Sequence, residues 1–218
     1  MIKVLYKRIH DFISRPGERG ESSGGYLPFK IRAAVVAICS SRAGRLLEVG
    51  CGEGILLHRL CLSNSKLDVI GIDINESLLA KARERFAIKK DRCPILVMAN
   101  AKRLPIKDNL FDTVLIVNVV LLQREISNVR SMLLELARVC KRGGRIIIDY
   151  RNSRNMLFHL LYKHAHLYDA TLRSIYTCNI SEIRKICDEA GLKIIGTMGV
   201  GFFVKSLAPV VILELEKL

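Results

Sequence analysis

Residues 47–54 read Leu-Glu-Val-Gly-Cys-Gly-Glu-Gly, and no other stretch restricts the fold of this chain so tightly. An apolar run reaches an acid. Three glycines then alternate with other residues at Gly50, Gly52 and Gly54, and a helix-periodic segment follows. A strand that turns sharply into a helix needs glycine where φ is positive and where backbone must approach a ligand closely. The run therefore predicts a small-molecule site at the carboxyl end of a buried strand, where open α/β sheets bind ligands. A dinucleotide fingerprint, G-x-G-x-x-G, would require glycine at position 55. The chain has Ile55 there, and its third glycine falls one residue earlier.

Past residue 44, strand and helix patterns alternate. Strands are predicted at 45–49, 68–72, 95–98, 112–117 and 145–150, and helices at 54–61, 76–88 and 124–141. In the last helix Val129, Met132, Leu133, Leu136, Ala137 and Cys140 keep i, i+3, i+4 spacing, and Gly143-Gly144 reads as its stop. Such alternation implies an α/β fold with a doubly wound, Rossmann-like, mostly parallel sheet. Its strands are nearly uniformly apolar, as befits strands covered by helices on both faces. Upstream, 2–14 reads as an amphipathic helix, 15–28 as a Gly/Ser-rich loop, and 29–41 as a helix with Ile31, Val35, Ile38 and Cys39 on one face. Downstream come a helical insertion at 153–169, a helix at 181–190 opening on Ser181 and Glu182, and a strand at 192–197. A last strand falls within 204–215, where Pro209 marks an edge or irregularity. The chain reads as one domain in four parts: a basic N-terminal helical segment (1–44), a core (45–150), a helical cap (151–179) and a C-terminal helix with strands (180–218).

Three further motifs accompany the glycine loop. Gly71-Ile72-Asp73 ends the second strand, about twenty residues past the loop, where an acid can accept hydrogen bonds from ribose hydroxyls. Asp73 could instead cap the following helix, a task open equally to Asn75 or Ser77. Asn100-Ala101-Lys102-Arg103-Leu104-Pro105-Ile106 follows the third strand, then Phe111-Asp112-Thr113-Val114 leads into the fourth. Residues 133–145 read as a helix, a Gly-Gly turn and the start of a fifth strand.

In this order and spacing the four motifs resemble those of class I S-adenosylmethionine-dependent methyltransferases, the small-molecule group in particular. The resemblance covers 45–150 well and 180–218 loosely. It implies a seven-stranded sheet closed by a C-terminal antiparallel strand, with S-adenosyl-L-methionine as cofactor. It places Glu48 at the methionine end, the backbone of Gly50, Cys51 and Gly52 against the cofactor, and Asp73 on the ribose. Asn100 and Ala101 fall on the adenine, with Ile74 and Leu104 as apolar contacts to its ring. The family usually has Asp at position 100; an amide oxygen still accepts a hydrogen bond from the adenine amino group. Asn100 as a plain turn residue is the competing reading. Asn118, just past the fourth strand, faces the place where methyl donor meets acceptor, or else serves as a turn residue.

The acceptor is less legible. No Asp/Asn-Pro-Pro-Tyr follows the fourth strand, where Val117-Asn118-Val119-Val120 stands, which argues against the amino methylases bearing that motif. No Pro-Cys stands there either, which argues against attack on a pyrimidine. The cap carries His159, Tyr162, His164, His166, Tyr168 and Tyr176, candidates for a general base or for an aromatic lid. Tyr26 and Arg32 are candidates to close over the cofactor. The His-x-His at 164–166 lacks accompanying thiols or carboxylates, so no metal is expected.

The seven cysteines are odd in number and form no C-x-x-C, against both a disulfide framework and a structural zinc site. No apolar stretch reaches the roughly 18 residues of a membrane span, and residues 1–12 lack a secretory core, so a cytoplasmic protein is expected. The formal net charge is +14, densest over the first 45 residues. Such an excess favours anionic partners or is plain surface solvation. Methylation of a small-molecule or lipid-like acceptor is therefore the first reading. An RNA methyltransferase gripping phosphates with Lys3, Lys7, Arg8, Arg15 and Arg19 is the alternative. The 6% aromatic content and the lack of a recognisable RNA module argue against it. A cofactor-binding protein without turnover is a third, less favoured.

Overall fold

The structure is a computed structural model and describes residues 26–89, 94–164, 175–201 and 207–218. The helix expected at 2–14, most of the loop at 15–28, the five basic residues Lys3 to Arg19, His166 and Tyr168 lie outside the described residues, as do the side chains of Tyr26 and Tyr162.

Strand and helix alternate as the periodicity requires: α1 (Tyr26–Cys39), β1 (Gly44–Val49), α2 (Ile55–Ser63), β2 (Leu67–Asp73), α3 (Glu76–Lys89), β3 (Ile95–Met98), β4 (Phe111–Ile116), a 3-10 turn (Val120–Leu122), α4 (Ile126–Val139) and β5 (Cys140–Arg151). They continue through α5 (Met156–Lys163), α6 (Ile180–Glu189), β6 (Leu192–Val200) and β7 (Val210–Lys217). The seven strands form one sheet in the order β3-β2-β1-β4-β5-β7-β6. The pairs from β3 to β5 are parallel, and β7 runs antiparallel between β5 and β6. The order reverses between β1 and β4, which opens a crevice above their carboxyl ends.

Side-chain alternation sends Leu47, Val49, Val114, Ile116, Ile146 and Ile148 into one core layer, with Leu136 of α4 and Ile183 of α6. Leu46, Leu115, Ile147 and Ile212 face the other, under Ile31 and Val35 of α1 and Leu57 of α2. Each such buried aliphatic side chain contributes about 1.5–3 kcal/mol.

Several boundaries differ from the sequence pattern. Helix α1 begins at Tyr26 rather than 29, because Pro28 sits in its first turn, where a missing N–H costs nothing. Gly143-Gly144 does not stop α4. That helix ends at Val139, Cys140 is extended and pairs with Phe111, and β5 runs through both glycines, with Gly143 at φ 72°. The N-cap of α6 is Asn179, which forms a reciprocal capping box with Glu182. At the sheet edge Ile95 and Met98 of β3 stay exposed, so the expectation of covered strands fails there.

Candidate functional site

The glycine loop leaves β1 at Val49 and enters α2 at Ile55, and its amides at 50, 51, 52 and 54 are tied down. Gly50 and Cys51 both donate their N–H to the Ile72 carbonyl, at 2.6 and 2.9 Å. Gly52 donates to Asp73 Oδ2 at 2.8 Å, and Asn75 donates to the other oxygen, Oδ1, at 2.8 Å. The end of β2 thus holds the loop. The amides of residues 50–52 are therefore spent internally and do not form a phosphate cradle, which agrees with the failed dinucleotide spacing. A side chain at Gly50, where φ is 78°, would put its Cβ 2.2 Å from Val119 Cγ2. Glu53 anchors the loop from the other side: its buried carboxylate meets Lys81 Nζ at 3.0 Å, and Arg85 Nε donates to its carbonyl at 2.9 Å.

Above the ends of β1, β2 and β4 lies a cavity of about 560 Å³. Glu48, Gly50, Cys51, Gly52, Asp73, Ile74, Asn100, Ala101 and Asn118 all line it, together with Arg32. Leu104 does not. Its side chain is buried in the α4 layer, and its backbone is clamped by Glu135 Oε2 and Arg138 Nη2 at 2.7 and 3.0 Å. The Leu-Pro motif positions a turn there rather than an apolar wall of the cavity.

Glu48 is fully enclosed. Burial pushes its carboxyl up to about 8; Arg32 pulls the other way and Asp73 adds to the rise. Its Oε2 has no hydrogen-bond partner among the described residues. A buried carboxyl oxygen left unpaired costs about 1–3 kcal/mol, so this atom is open to a polar partner on a ligand. Burial also raises the Cys51 thiol, with Glu48 and Asp73 adding to it, so Cys51 is a small neutral wall and not a nucleophile.

Asn75 rather than Asp73 caps α3: its Oδ1 accepts the N–H of Ser77 at 3.0 Å. Asn100 does make a turn, accepting from the Lys102 N–H at 2.9 Å, and also lines the cavity. Asn118 sits at φ 58°. Its N–H donates to Asp149 Oδ1 at 2.6 Å, and its Oδ1 accepts from Arg151 Nη2 at 2.9 Å. Asp149 and Arg151 form a buried ion pair at 2.6 Å. Sequence reasoning missed this triad, although two charges in the apolar run of β5 were the available signal.

Of the cap residues, His159 alone among the described histidines lines a second depression, of about 360 Å³, with Gln123, Arg124, Lys163, Ile175, Tyr176 and Thr177. Gln123 lines both spaces. His159 Nδ1 lies 2.8 Å from Thr177 Oγ1. His164 lines neither. Cys178 is buried, and burial lifts its thiol to about 12; Cys178→Ala should leave ligand binding and turnover within a factor of two, measured by titration and by rate. Among the described residues no group of three or more His, Cys, Asp or Glu is placed to hold a metal, and no helix is long and apolar enough to cross a membrane.

A crevice at the sheet's switch point, with an acid ending β2 and a glycine loop beside it, is where open α/β sheets bind nucleotide-like ligands. A methyltransferase domain model matches residues 47–148. The chain is 34% identical to a phosphatidylethanolamine N-methyltransferase of Cereibacter sphaeroides, over 63% of this chain and 67% of that protein. It is 29% identical to a ubiquinone/menaquinone biosynthesis C-methyltransferase of Geobacter sulfurreducens, over 72% of this chain and 63% of that one. The chain thus spans about two thirds of the length of each. Its fold superposes on the magnesium protoporphyrin IX methyltransferase of Synechocystis, solved with S-adenosylhomocysteine bound. The TM-score is 0.70 and the identity 20%, over 99% of both chains. The chain belongs to the class I S-adenosylmethionine-dependent methyltransferases.

Proposed function

We propose that this protein moves a methyl group from S-adenosylmethionine to a small-molecule or lipid-like acceptor. The observation that carries the reading is the pair of carboxylates on one cavity wall: Asp73 at the end of β2 and the enclosed, half-satisfied Glu48 at the end of β1. When bound, the cofactor supplies a methyl group already activated on a sulfonium. The chain's task is then alignment, exclusion of water and disposal of the acceptor's proton. Each Asp73 oxygen accepts one backbone N–H and retains a lone pair for a ribose hydroxyl. Ile74, Asn100 and Ala101 form the adenine wall, and Glu48 offers its orphaned oxygen to the methionine ammonium. Asn118 and Gln123 mark the acceptor side. His159, with Nδ1 engaged by Thr177, has Nε2 free to take a proton from an oxygen or nitrogen acceptor. Relatives that act on a phospholipid headgroup and on quinones favour an acceptor of lipid-like character over RNA.

Calorimetric titration with S-adenosylmethionine, S-adenosylhomocysteine and NAD tests the cofactor. The first two should bind and NAD should not. The same titration reads Glu48. In the free protein its carboxyl holds a proton up to about pH 8. An ammonium beside it favours the carboxylate and lowers that value. Binding at pH 7 should therefore release up to one proton, seen as heat that varies with the buffer's ionisation enthalpy, and release should fade above about pH 9. Glu48→Gln should abolish it. Buffer-independent heat at pH 7 in the native protein would remove Glu48 from the ammonium site.

A further inference from the structure

We infer that helix α5 is a shallow interfacial helix that docks the protein on an anionic phospholipid surface. The inference stands irrespective of which acceptor is methylated.

One side of α5 is fixed to the body of the protein. Phe158 packs against the core layer that holds α1 and α2, Leu161 is buried, and His159 meets Thr177. Asn155, just before the helix, accepts from the Phe158 N–H at 3.0 Å and donates its side-chain amide to the Leu207 carbonyl. Rotation of the helix is therefore not free. The opposite side presents Met156, Leu157 and Leu160 with 75%, 61% and 49% of their surface exposed, and Leu207, whose carbonyl is held by Asn155, is itself 47% exposed. At 100° per residue, 156, 157, 160 and 163 share one arc. Folded monomers seldom leave several large aliphatic side chains adjacent in water.

Charge decides what covers this face. Arg154 before the helix and Lys163 at its end are both exposed, and neither forms an ion pair among the described residues. The sequence holds no Asp or Glu between Asp149 and Asp169, and Asp149 is already consumed by Arg151. An aliphatic strip bracketed by cations matches acyl chains bordered by phosphates, because Arg and Lys can lay their stems along the apolar layer and reach the headgroups. The overall charge of +14 acts in the same direction at longer range. A protein partner would be better met by exposed aromatics, and the described face has none. Two turns of helix give a shallow, reversible contact. His159 and Lys163 of this helix line the depression that shares Gln123 with the main cavity, so docking would bring that opening to the lipid surface.

The test is co-sedimentation of the full chain with vesicles of phosphatidylglycerol and phosphatidylcholine, against phosphatidylcholine alone. The protein should bind the anionic vesicles, prefer them to neutral ones, and release as salt rises. Leu157→Glu/Leu160→Glu should weaken vesicle affinity at least tenfold while leaving a cooperative thermal unfolding transition in place, since about half or more of each side chain is already exposed. Arg154→Glu/Lys163→Glu should also weaken it and flatten the salt dependence. Absence of binding to anionic vesicles, or undiminished binding by the Leu157→Glu/Leu160→Glu protein, overturns the inference. So does a native dimer in light scattering that this variant splits with no vesicle binding by either, for then the face belongs to a second copy.

Discussion

Asp73→Ala should weaken S-adenosylhomocysteine binding about a hundredfold. The carboxylate has two duties in one place. In the function proposed above it offers acceptors to the ribose hydroxyls, and in the structure it fixes the glycine loop through Gly52 at 2.8 Å and the start of α3 through Asn75 at 2.8 Å. A hydrogen bond to a charged acceptor contributes about 1.5–3 kcal/mol, so two lost ribose bonds near the lower figure give about 3 kcal/mol, or two powers of ten. The loosened loop adds to the loss and should lower the melting temperature as well. Asp73→Asn separates the duties. It keeps the shape but turns one acceptor into an NH2 that must face the Gly52 or the Asn75 N–H, donor against donor. An intermediate affinity and a partial drop in melting temperature are expected. Titration of both variants beside a thermal melt is the measurement. Affinity within twofold of the native protein in Asp73→Ala would take Asp73 out of the ligand site and leave it a loop anchor.

The glycine loop was legible because its information is local. Three alternating glycines after an apolar run dictate a strand, a turn and a helix, and the acid at the next strand end lies beside that loop once β1 and β2 pair in parallel. Asn100, Ala101 and Asn118 reach the same cavity for the same reason, each following a parallel strand whose carboxyl end points to one side. Residues whose roles depend on distant polar partners were not legible. Glu53, in the loop before α2, meets Lys81 and Arg85 of α3. Arg138 of α4 donates to the carbonyls of Leu104 and Ile106 and to Glu135 and Asp108, so the segment after β3 is held by a helix more than thirty residues away in sequence. No periodicity announces such pairs. Leu104 was misread for that reason: a motif fixed the turn, whereas a remote arginine and the core decided where its side chain went. Gly143-Gly144 misled in the opposite way. A strong local signal for ending a helix was overridden by the pairing of Cys140 with Phe111.

The buried Asp149–Arg151 pair should show large stability effects. Asp149→Ala leaves the Arg151 guanidinium, 5% exposed, with the Asn118 side-chain oxygen as its hydrogen-bond partner. Removing one member of a buried pair costs about 3–5 kcal/mol, which for a chain of this size lowers the melting temperature by roughly 6–20 °C. Arg151→Met should cost a similar amount by stranding the carboxylate. Asp149→Leu/Arg151→Met should recover most of the loss, because two buried charges replaced by packed aliphatics are often neutral in stability. Recovery of stability should not bring recovery of binding. Asn118 stands at φ 58°, a conformation non-glycine residues seldom adopt, and its N–H and side-chain oxygen are both engaged by this pair. Without those bonds the wall of the cavity after β4 relaxes, and S-adenosylhomocysteine affinity should fall about tenfold even in the restabilised double variant. Melts and titrations on the three variants decide the point. A double variant that is stable and binds as the native protein does would show that the pair has no hold on the site. Stability regained without affinity would mean that the charges are kept in β5 to place Asn118, at little net gain to the fold.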